Sequence, residues 1–219
     1  LVPVIHKRLV RRVAASPSTK IYNSVNTFFL DFETYSDADL TTVGATAYAQ
    51  HPSARILLAA IAKNDEPVRL WDHRNKSSAE SWAALELLEE MLEDDGPIVA
   101  HNSAFEETIT EYLFGKTFNM MPPNADRWTC TAAMCRMAAI PYDLFNASRF
   151  LSLKSVKMEA GTNLIKIFCC PDPKIPKNWD EKAGWETFRT YCVKDVEAER
   201  ELYDRLKKTF KLPREVFRF

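Results

Sequence analysis

Apolar and polar side chains alternate along the stretch TFFLDFE, residues 27 to 33. Every second position forms an apolar face, which holds Phe28, Leu30 and Phe32. The opposite face carries Asp31 and Glu33, so the alternation predicts a β-strand with two carboxylates on one side. Because a buried charge is costly without a partner or a metal ion, these acids need neutralising groups from elsewhere in the chain.

Two further apolar runs, residues 54 to 63 and 67 to 71, flank the short polar segment NDE. This arrangement predicts two strands joined by a turn, which is a β-hairpin. A third apolar run, PIVAHN at residues 97 to 102, leads directly into a helical stretch that ends near Gly115. A hairpin followed by a strand-helix crossover predicts an α/β domain with a mixed sheet.

Residues 77 to 96 have the pattern of an amphipathic helix. Ser77 and Glu80 form a capping-box pattern at its start, and Gly96 with Pro97 ends it. The predicted inner face consists of Trp82, Leu85, Leu88 and Met91 or Leu92. The acidic residues of this segment are then the solvent side of the helix.

The last third of the chain is predicted to be mainly helical. Prolines separate short helical pieces at residues 131 to 139, 143 to 151 and 163 to 168. A long helix is predicted from Asp180 to about Lys208. Its inner side consists of Trp185, Phe188, Cys192, Val196, Leu202 and Leu206.

The composition is that of an ordinary globular protein, with 219 residues, 46% hydrophobic and 27% charged. The longest apolar runs are too short for a membrane span, and no signal-peptide pattern opens the chain. A cytoplasmic protein without a membrane partner is therefore expected. Five cysteines, of which Cys169 and Cys170 are adjacent, fit a reducing compartment, and their spacing gives only weak support to a zinc site.

The formal net charge of −1 means that global attraction does not hold a polyanion to this protein. The basic residues of the first part of the chain suggest a peripheral tail over residues 1 to 26, which could also touch nucleic acid. The globular domain is expected over residues 27 to 210, with a second tail over 211 to 219. The sequence contains no signal for the oligomeric state.

Acidic residues occur on three predicted elements, one strand and two helices, each of which sets the direction of the side chain. Asp31 and Glu33 share the face of the first strand, and Glu106 opens the helix after PIVAHN. Tyr191 and Asp195 are i and i+4 on the long helix, so they project from the same side. Four converging carboxylates would repel one another, and two divalent cations would relieve this repulsion. Oxygen ligands favour Mg²⁺ or Mn²⁺ over zinc.

Three motifs, DFET, AHNSAFE and YCVKD, resemble the ordered motifs of the DEDD exonuclease superfamily. Longer stretches, from LDFETYSDADL to YCVKDVEAERELYDRL, resemble the 3′→5′ proofreading exonuclease domain of bacteriophage-type family A DNA polymerases. The match covers roughly residues 27 to 210. It implies a ribonuclease H-like α/β fold with a mixed, roughly five-stranded sheet flanked by helices. The ordered trio is specific, whereas D-x-E alone is common by chance.

The resemblance also implies roles for the acidic residues and the tyrosine. Asp31, Glu33 and Asp195 correspond to metal ligands for two Mg²⁺ or Mn²⁺ ions, with Asp31 bridging both. Glu106 stands where many relatives have Asp, so direct ligation or action through a water are both open. Tyr191 corresponds to the residue that orients the attacking water, and the last histidine, His101, precedes the third motif, which excludes the histidine subclass.

By the same resemblance, a DNA 3′ end lies against the backbone and side chains of Phe32 and Thr34, with Asn102 and Phe105 near the terminal sugar and base. Aromatic stacking suits single-stranded ends. The expected activity is release of nucleoside 5′-monophosphates from DNA 3′ ends, as part of a DNA polymerase or beside a separate one. A ribonuclease D-like RNA exonuclease and a catalytically inactive replisome-binding scaffold are the alternatives.

Overall fold

A five-stranded mixed sheet forms the centre of the computed structural model, which describes residues 25–155, 161–171, 173 and 175–210. Its strands are β1 (Phe28–Tyr35), β2 (Arg55–Lys63), β3 (Arg69–Asp72), β4 (Ile98–Ala100) and β5 (Trp128–Cys130). Its helices are α1 (Leu40–Gln50), α2 (Ala79–Glu93), α3 (Ala104–Phe118), α4 (Thr131–Met137), α5 (Leu144–Phe150), α6 (Gly161–Phe168) and α7 (Glu181–Phe210). The predicted tails lie outside the described residues, except for Val25 and Asn26.

The strand order is β3-β2-β1-β4-β5, so β1 lies in the middle of the sheet. β1 and β2 are antiparallel, as are β2 and β3, which confirms the predicted hairpin. β4 is parallel to β1 and to β5. The predicted α/β fold with a mixed sheet of about five strands is therefore confirmed, although β5 itself had no clear signal in the sequence.

Two apolar cores lie on opposite faces of the sheet. The core on one face contains Phe28, Leu30 and Phe32 of β1 together with buried side chains of α2 and α3. The core on the other face contains Phe29 and the inner side of α7. The alternation predicted for the first strand is thus confirmed, and α7 covers the face that carries the acids.

Helix α2 differs from its prediction in its cap and at Trp82, whereas Leu88 and Met91 are buried as predicted. Ser78, not Ser77, is the N-cap residue, and its side chain accepts a hydrogen bond from the Ser81 amide. The apolar side chains buried by α2 are Ala84, Leu87, Leu88 and Met91. The inward placement of Trp82 was wrong, because this side chain is 53% exposed. A helix turns about 100° per residue, so Trp82 and Met91 lie about half a turn apart.

The other helices agree with the sequence patterns apart from α1 and the end of α3. Helix α1 was not predicted; the Asp39 side chain caps it, and Gly44 interrupts it with a φ of 77°. Helix α3 continues past Gly115 to Phe118 and ends at Asn119, whose backbone is left-handed. The predicted inner side of α7 is buried. No helix of the described ranges is long and apolar enough to cross a membrane.

Candidate active site

Strand β1 holds Asp31 and Glu33 on the sheet face that α7 covers. Asp31 is half-buried and Glu33 is buried. β2 pairs with β1 along the segment that carries the two acids, opposite Ala60 and Leu58, whereas β4 pairs only with Phe28 and Phe29. The register with β2 shifts between Glu33 and Thr34. Such irregularities change the direction of a strand and are common beside functional sites.

Helix α7 supplies Tyr191 and Asp195 to the same place. Both side chains are buried, and they lie one turn apart on α7. Burial raises the pKa of Tyr191 far above its usual value, and the charges of Asp195, Glu33 and Asp31 raise it further. The phenol therefore keeps its proton at neutral pH.

Two thiols lie against the carboxylates of β1. Cys192 Sγ is 3.6 Å from Asp31 Oδ2, and Cys169 Sγ is 3.7 Å from Glu33 Oε2. Ligand atoms of Asp31, Glu33 and Cys192 all lie within 4.8 Å of one another, which is close enough to hold a metal ion. Burial raises the pKa of Cys192 well above its usual value, followed by the charge of Asp31, so this thiol is protonated in the metal-free site.

Glu106 enters the site from the first turn of α3. Its side chain is 4% exposed, and Oε2 has no hydrogen-bond partner among the described residues. Burial raises the pKa of Glu106 well above its usual value, and the Asp31 charge adds to this effect. A buried carboxyl without a compensating cation is costly, so this arrangement is typical of a site that receives a positive ion.

Glu199 was not predicted as a site residue, although it lies one turn beyond Asp195 on α7. The side chain is 1% exposed. Burial raises the pKa of Glu199 well above its usual value, and the charges of Asp31 and Glu106 raise it further. The signal was the spacing of four that links Tyr191, Asp195 and Glu199 on one helix face.

The structure therefore brings together all five residues predicted for catalysis: Asp31, Glu33, Glu106, Tyr191 and Asp195. Electrostatic interactions connect Tyr191 to the acids of β1 and of α7, and they connect Glu106 to both acids of β1. The donors are mostly carboxylate oxygens, which suit hard divalent cations. The chemistry of the residues thus fits a divalent metal site, while the role of each residue stays a prediction.

The residues predicted to contact a DNA end differ from one another in their burial and in their contacts. The side chain of Phe32 packs edge-to-face against Phe114 in the opposite core, so only its backbone is available on the side of the acids. Thr34 is buried, and its hydroxyl forms a hydrogen bond of 3.0 Å with the Tyr48 hydroxyl. Tyr48, which was not predicted, also contacts the ring of Phe105.

Asn102 lies in the turn between β4 and α3, close to the start of the helix that carries Glu106. Its φ is 71°, a left-handed conformation that Asn adopts more readily than most residues. Phe105 is half-buried at the beginning of α3. The structure thus places Asn102 and Phe105 beside the acidic cluster, and their contact with a substrate stays a prediction.

Known proteins provide an independent comparison. No family model matches the chain. Over 194 residues the chain is 32% identical to a DNA polymerase of Bacillus phage SP02, and the alignment covers 84% of this chain and 28% of that relative. The chain therefore spans little more than a quarter of the length of this relative.

Among solved structures, the family B DNA polymerase from the hyperthermophilic archaeon Pyrobaculum calidifontis is similar with a TM-score of 0.52 and 14% identity. The superposition covers 84% of this chain and 25% of that polymerase. Brucella melitensis NrnC with bound Mg²⁺ gives a TM-score of 0.48 at 15% identity, over 86% of this chain and 75% of that one. The motif resemblance is confirmed, and the chain is a homologue of one segment of a bacteriophage DNA polymerase.

Proposed function

We propose that this chain is a metal-dependent 3′→5′ DNA exonuclease domain. It hydrolyses the last phosphodiester bond at a DNA 3′ end and releases a nucleoside 5′-monophosphate. The observation that carries the proposal is the meeting of buried acids from β1, α3 and α7, with Tyr191 beside them. Similarity to a phage DNA polymerase supports DNA as the substrate and replication in a host cytoplasm as the setting.

The proposed cofactors are two Mg²⁺ or Mn²⁺ ions, which Asp31, Glu33 and Asp195 would hold. Glu106 would complete this set, since its buried Oε2 has no partner among the described residues. A bound pair of such ions lowers the pKa of a water and stabilises both the attacking and the leaving oxygen of an in-line displacement. The carboxylates also neutralise the cations, which keeps the buried site close to electroneutral.

Tyr191 is proposed to orient the attacking water. The Tyr191 oxygen would accept a hydrogen bond from that water, while Asp195, whose charge helps to raise the pKa of Tyr191, lies one helical turn away. Burial holds the pKa of Tyr191 far above neutrality, so Tyr191 does not remove the proton itself. Asp195 would therefore bind metal and also help to keep the Tyr191 hydroxyl protonated through its charge.

The DNA end is proposed to enter beside the β4–α3 turn. Asn102 would contact the terminal sugar, and the half-buried ring of Phe105 would stack on the terminal base. The backbone of Phe32 and Thr34 would line the other side. Such local contacts hold a single strand without requiring a basic surface over the whole protein. The polymerase activity is proposed to come from another domain of the same protein or from a separate subunit.

Digestion of labelled oligomers tests the proposed function. Matched single-stranded DNA and RNA, labelled at the 5′ end, are incubated with Mg²⁺, Mn²⁺ or EDTA, and the products are sized. The proposal expects stepwise shortening of DNA with either metal and none with EDTA. Faster digestion of RNA would support the ribonuclease alternative instead, and intact DNA and RNA with both metals would support the scaffold alternative.

A further inference from the structure

Gly161 is the first residue of α6, and its backbone lies directly against the ring of Tyr191. A Cβ atom at Gly161 would overlap Cδ2 and Cε2 of that ring and would lie 2.5 Å from Cζ. Carbon atoms in favourable non-bonded contact are about 3.5 to 4.0 Å apart, so only glycine leaves room for the ring in this position. Because Cζ carries the hydroxyl, the close approach lies at the end of the ring that the proposed reaction uses.

The backbone conformation does not explain the glycine at this position. Gly161 is helical, and among the described residues Gly44 is the glycine with a positive φ. Alanine forms helices better than glycine does, so helix formation would favour a side chain here. The missing side chain therefore serves the contact between α6 and Tyr191.

Aromatic packing holds α6 and α7 together around Tyr191. The ring of Phe188, three residues earlier on α7, is nearly parallel to that of Tyr191, at an angle of 4° and with 6.3 Å between the centroids. Phe168, at the other end of α6, packs against Phe188 with 5.1 Å between the centroids. The Tyr191 side chain is 1% exposed, so its ring has little space in which to move. The contact with Gly161 thus contributes directly to the position of the hydroxyl.

We propose that Gly161 is a positioning residue, whose bare backbone sets the Tyr191 ring so that the hydroxyl meets the attacking water. This inference rests on the proposed function for its kinetic consequence but not for its structural one. A side chain at Gly161 would push the ring aside, and the hydroxyl would move with it. The proposed metal ligands Asp31 and Glu106 lie on other elements and would keep their places.

Gly161→Ala in the full chain tests the proposal, and two other glycines provide matched controls. Gly184→Ala would also overlap an aromatic ring, that of Trp179, which has no part in the proposed reaction. Gly115→Ala makes the same change within α3, where the added carbon would meet the carbonyl oxygen of Met120 at 3.9 Å, an ordinary contact. We compare kcat and KM on single-stranded DNA with Mn²⁺, and the melting temperature in EDTA.

A positioning role predicts that Gly161→Ala lowers kcat about tenfold and keeps KM within about twofold, because the DNA contacts are retained. Gly184→Ala should lower the melting temperature but keep kcat within about twofold, and Gly115→Ala should lower neither. Wild-type kcat in Gly161→Ala, or an equal loss of kcat in Gly184→Ala, overturns the proposal.

The Tyr191→Phe background shows whether the effect acts through the hydroxyl. In that background Gly161→Ala should change kcat by less than about twofold, since the group that it displaces is already absent. The same loss of kcat in both backgrounds would mean that Gly161 supports the site in another way, and it would rule out the proposed role.

Two further measurements do not depend on DNA digestion. In the wild type in EDTA, we expect a nuclear Overhauser effect between the α-protons of Gly161 and the ring protons of Tyr191, and its absence rules out the contact. Gly161→Ala should lower the melting temperature less in a Tyr191→Leu background than in the wild type, because leucine has no ring to displace. An equal fall in both backgrounds contradicts the proposal.

The same measurements cover the cases in which kinetics fail. If Gly161→Ala alone does not fold, combination with Tyr191→Leu should restore folding, and an unfolded double variant beside a folded Tyr191→Leu overturns the proposal. If the wild type digests no DNA, the proposed function fails, but the Overhauser effect and the melting temperatures still decide whether Gly161 positions the ring of Tyr191.

Discussion

Helix α7 takes part in two polar clusters of different composition. Near its start, Arg189 forms ion pairs with Asp72, Glu80 and Glu186, and the Trp185 indole donates to Asp72 at 3.1 Å. Farther along the helix, beyond Tyr191, its buried acidic side chains face other acidic side chains. The buried Asp72 thus has a neighbouring cation and a hydrogen-bond donor, which offset the free-energy cost of burying its charge.

In the second cluster, Glu106 Oε2 and Glu199 Oε1 have no hydrogen-bond partner among the described residues. Glu106 and Glu199 are each surrounded by carboxylates, and burial followed by the Asp31 charge raises the pKa of both. Natural proteins keep such arrangements mainly where a ligand supplies the missing charge. The comparison therefore separates a cluster that stabilises the fold from one that is proposed to bind cations, and the two should respond oppositely to mutation.

The largest effect is expected in the acidic cluster. Asp31→Ala should lower the exonuclease rate by on the order of 10³-fold, equivalent to about 4 kcal/mol, because a proposed metal ligand is lost. The melting temperature in EDTA should stay the same or rise, since one of several repelling carboxylates is gone. Wild-type digestion with an unchanged metal requirement would contradict the role of Asp31.

The opposite result is expected in the paired cluster. Arg189→Met removes the cation and leaves Asp72 buried, which should lower the free energy of unfolding by about 3 kcal/mol. For a protein of this size the melting temperature should fall by roughly 6 to 12 °C. Digestion at 20 °C should change less than about twofold. A variant with unaltered melting temperature but lost activity would show that the two clusters do not differ as proposed.

Tyr191→Phe is expected to have a smaller effect than Asp31→Ala. The variant keeps the ring in the core and removes only the hydroxyl, so the rate should fall about 10- to 100-fold through poorer orientation of the water. The stabilisation by Mn²⁺, measured as a melting-temperature shift, should remain. Loss of that shift would mean that Tyr191 supports the metal ligands instead.

Local patterns predicted most of the fold and the five candidate catalytic residues. Strand alternation placed Asp31 and Glu33 on one face, and helix spacing aligned Tyr191 with Asp195, because both depend only on chain geometry. Glu199 was missed because its neighbours Glu197 and Glu201 make that segment look like solvated helix. Tertiary packing alone decides which of these glutamates is buried.

The dependence on tertiary packing also explains the incorrect predictions outside the acidic cluster. Trp82 was wrongly placed on the buried face of α2 because steps of three residues fall about 60° short of a full turn, so a stripe drawn with them drifts around the helix. The packing of Phe32 against Phe114 also depends on a contact between distant segments. A sequence pattern shows which side chains share one face of a helix or strand. The residues that pack against that face depend on the fold of the whole chain.

The smallest predicted effect is the pH dependence of stability without metal. A carboxyl with a raised pKa in the folded state contributes most below its unfolded pKa, and this contribution is lost as the pH rises through the folded value. Glu106 has a usual pKa of 4.5 that burial and the Asp31 charge raise. In EDTA the melting temperature should therefore fall from pH 5 to pH 8, by about 2 to 4 °C for each kcal/mol lost.

Glu106→Gln should reduce this slope, because the amide stays neutral at every pH, whereas Glu80→Gln, at the exposed edge of the paired cluster, should leave it intact. Saturating Mn²⁺ should also reduce the slope, since the cation replaces the proton as the compensating charge. A wild-type melting temperature that rises between pH 5 and pH 8 in EDTA would mean that the acids of α3 and α7 are already neutralised within the protein. The distinction between the two clusters would then fail.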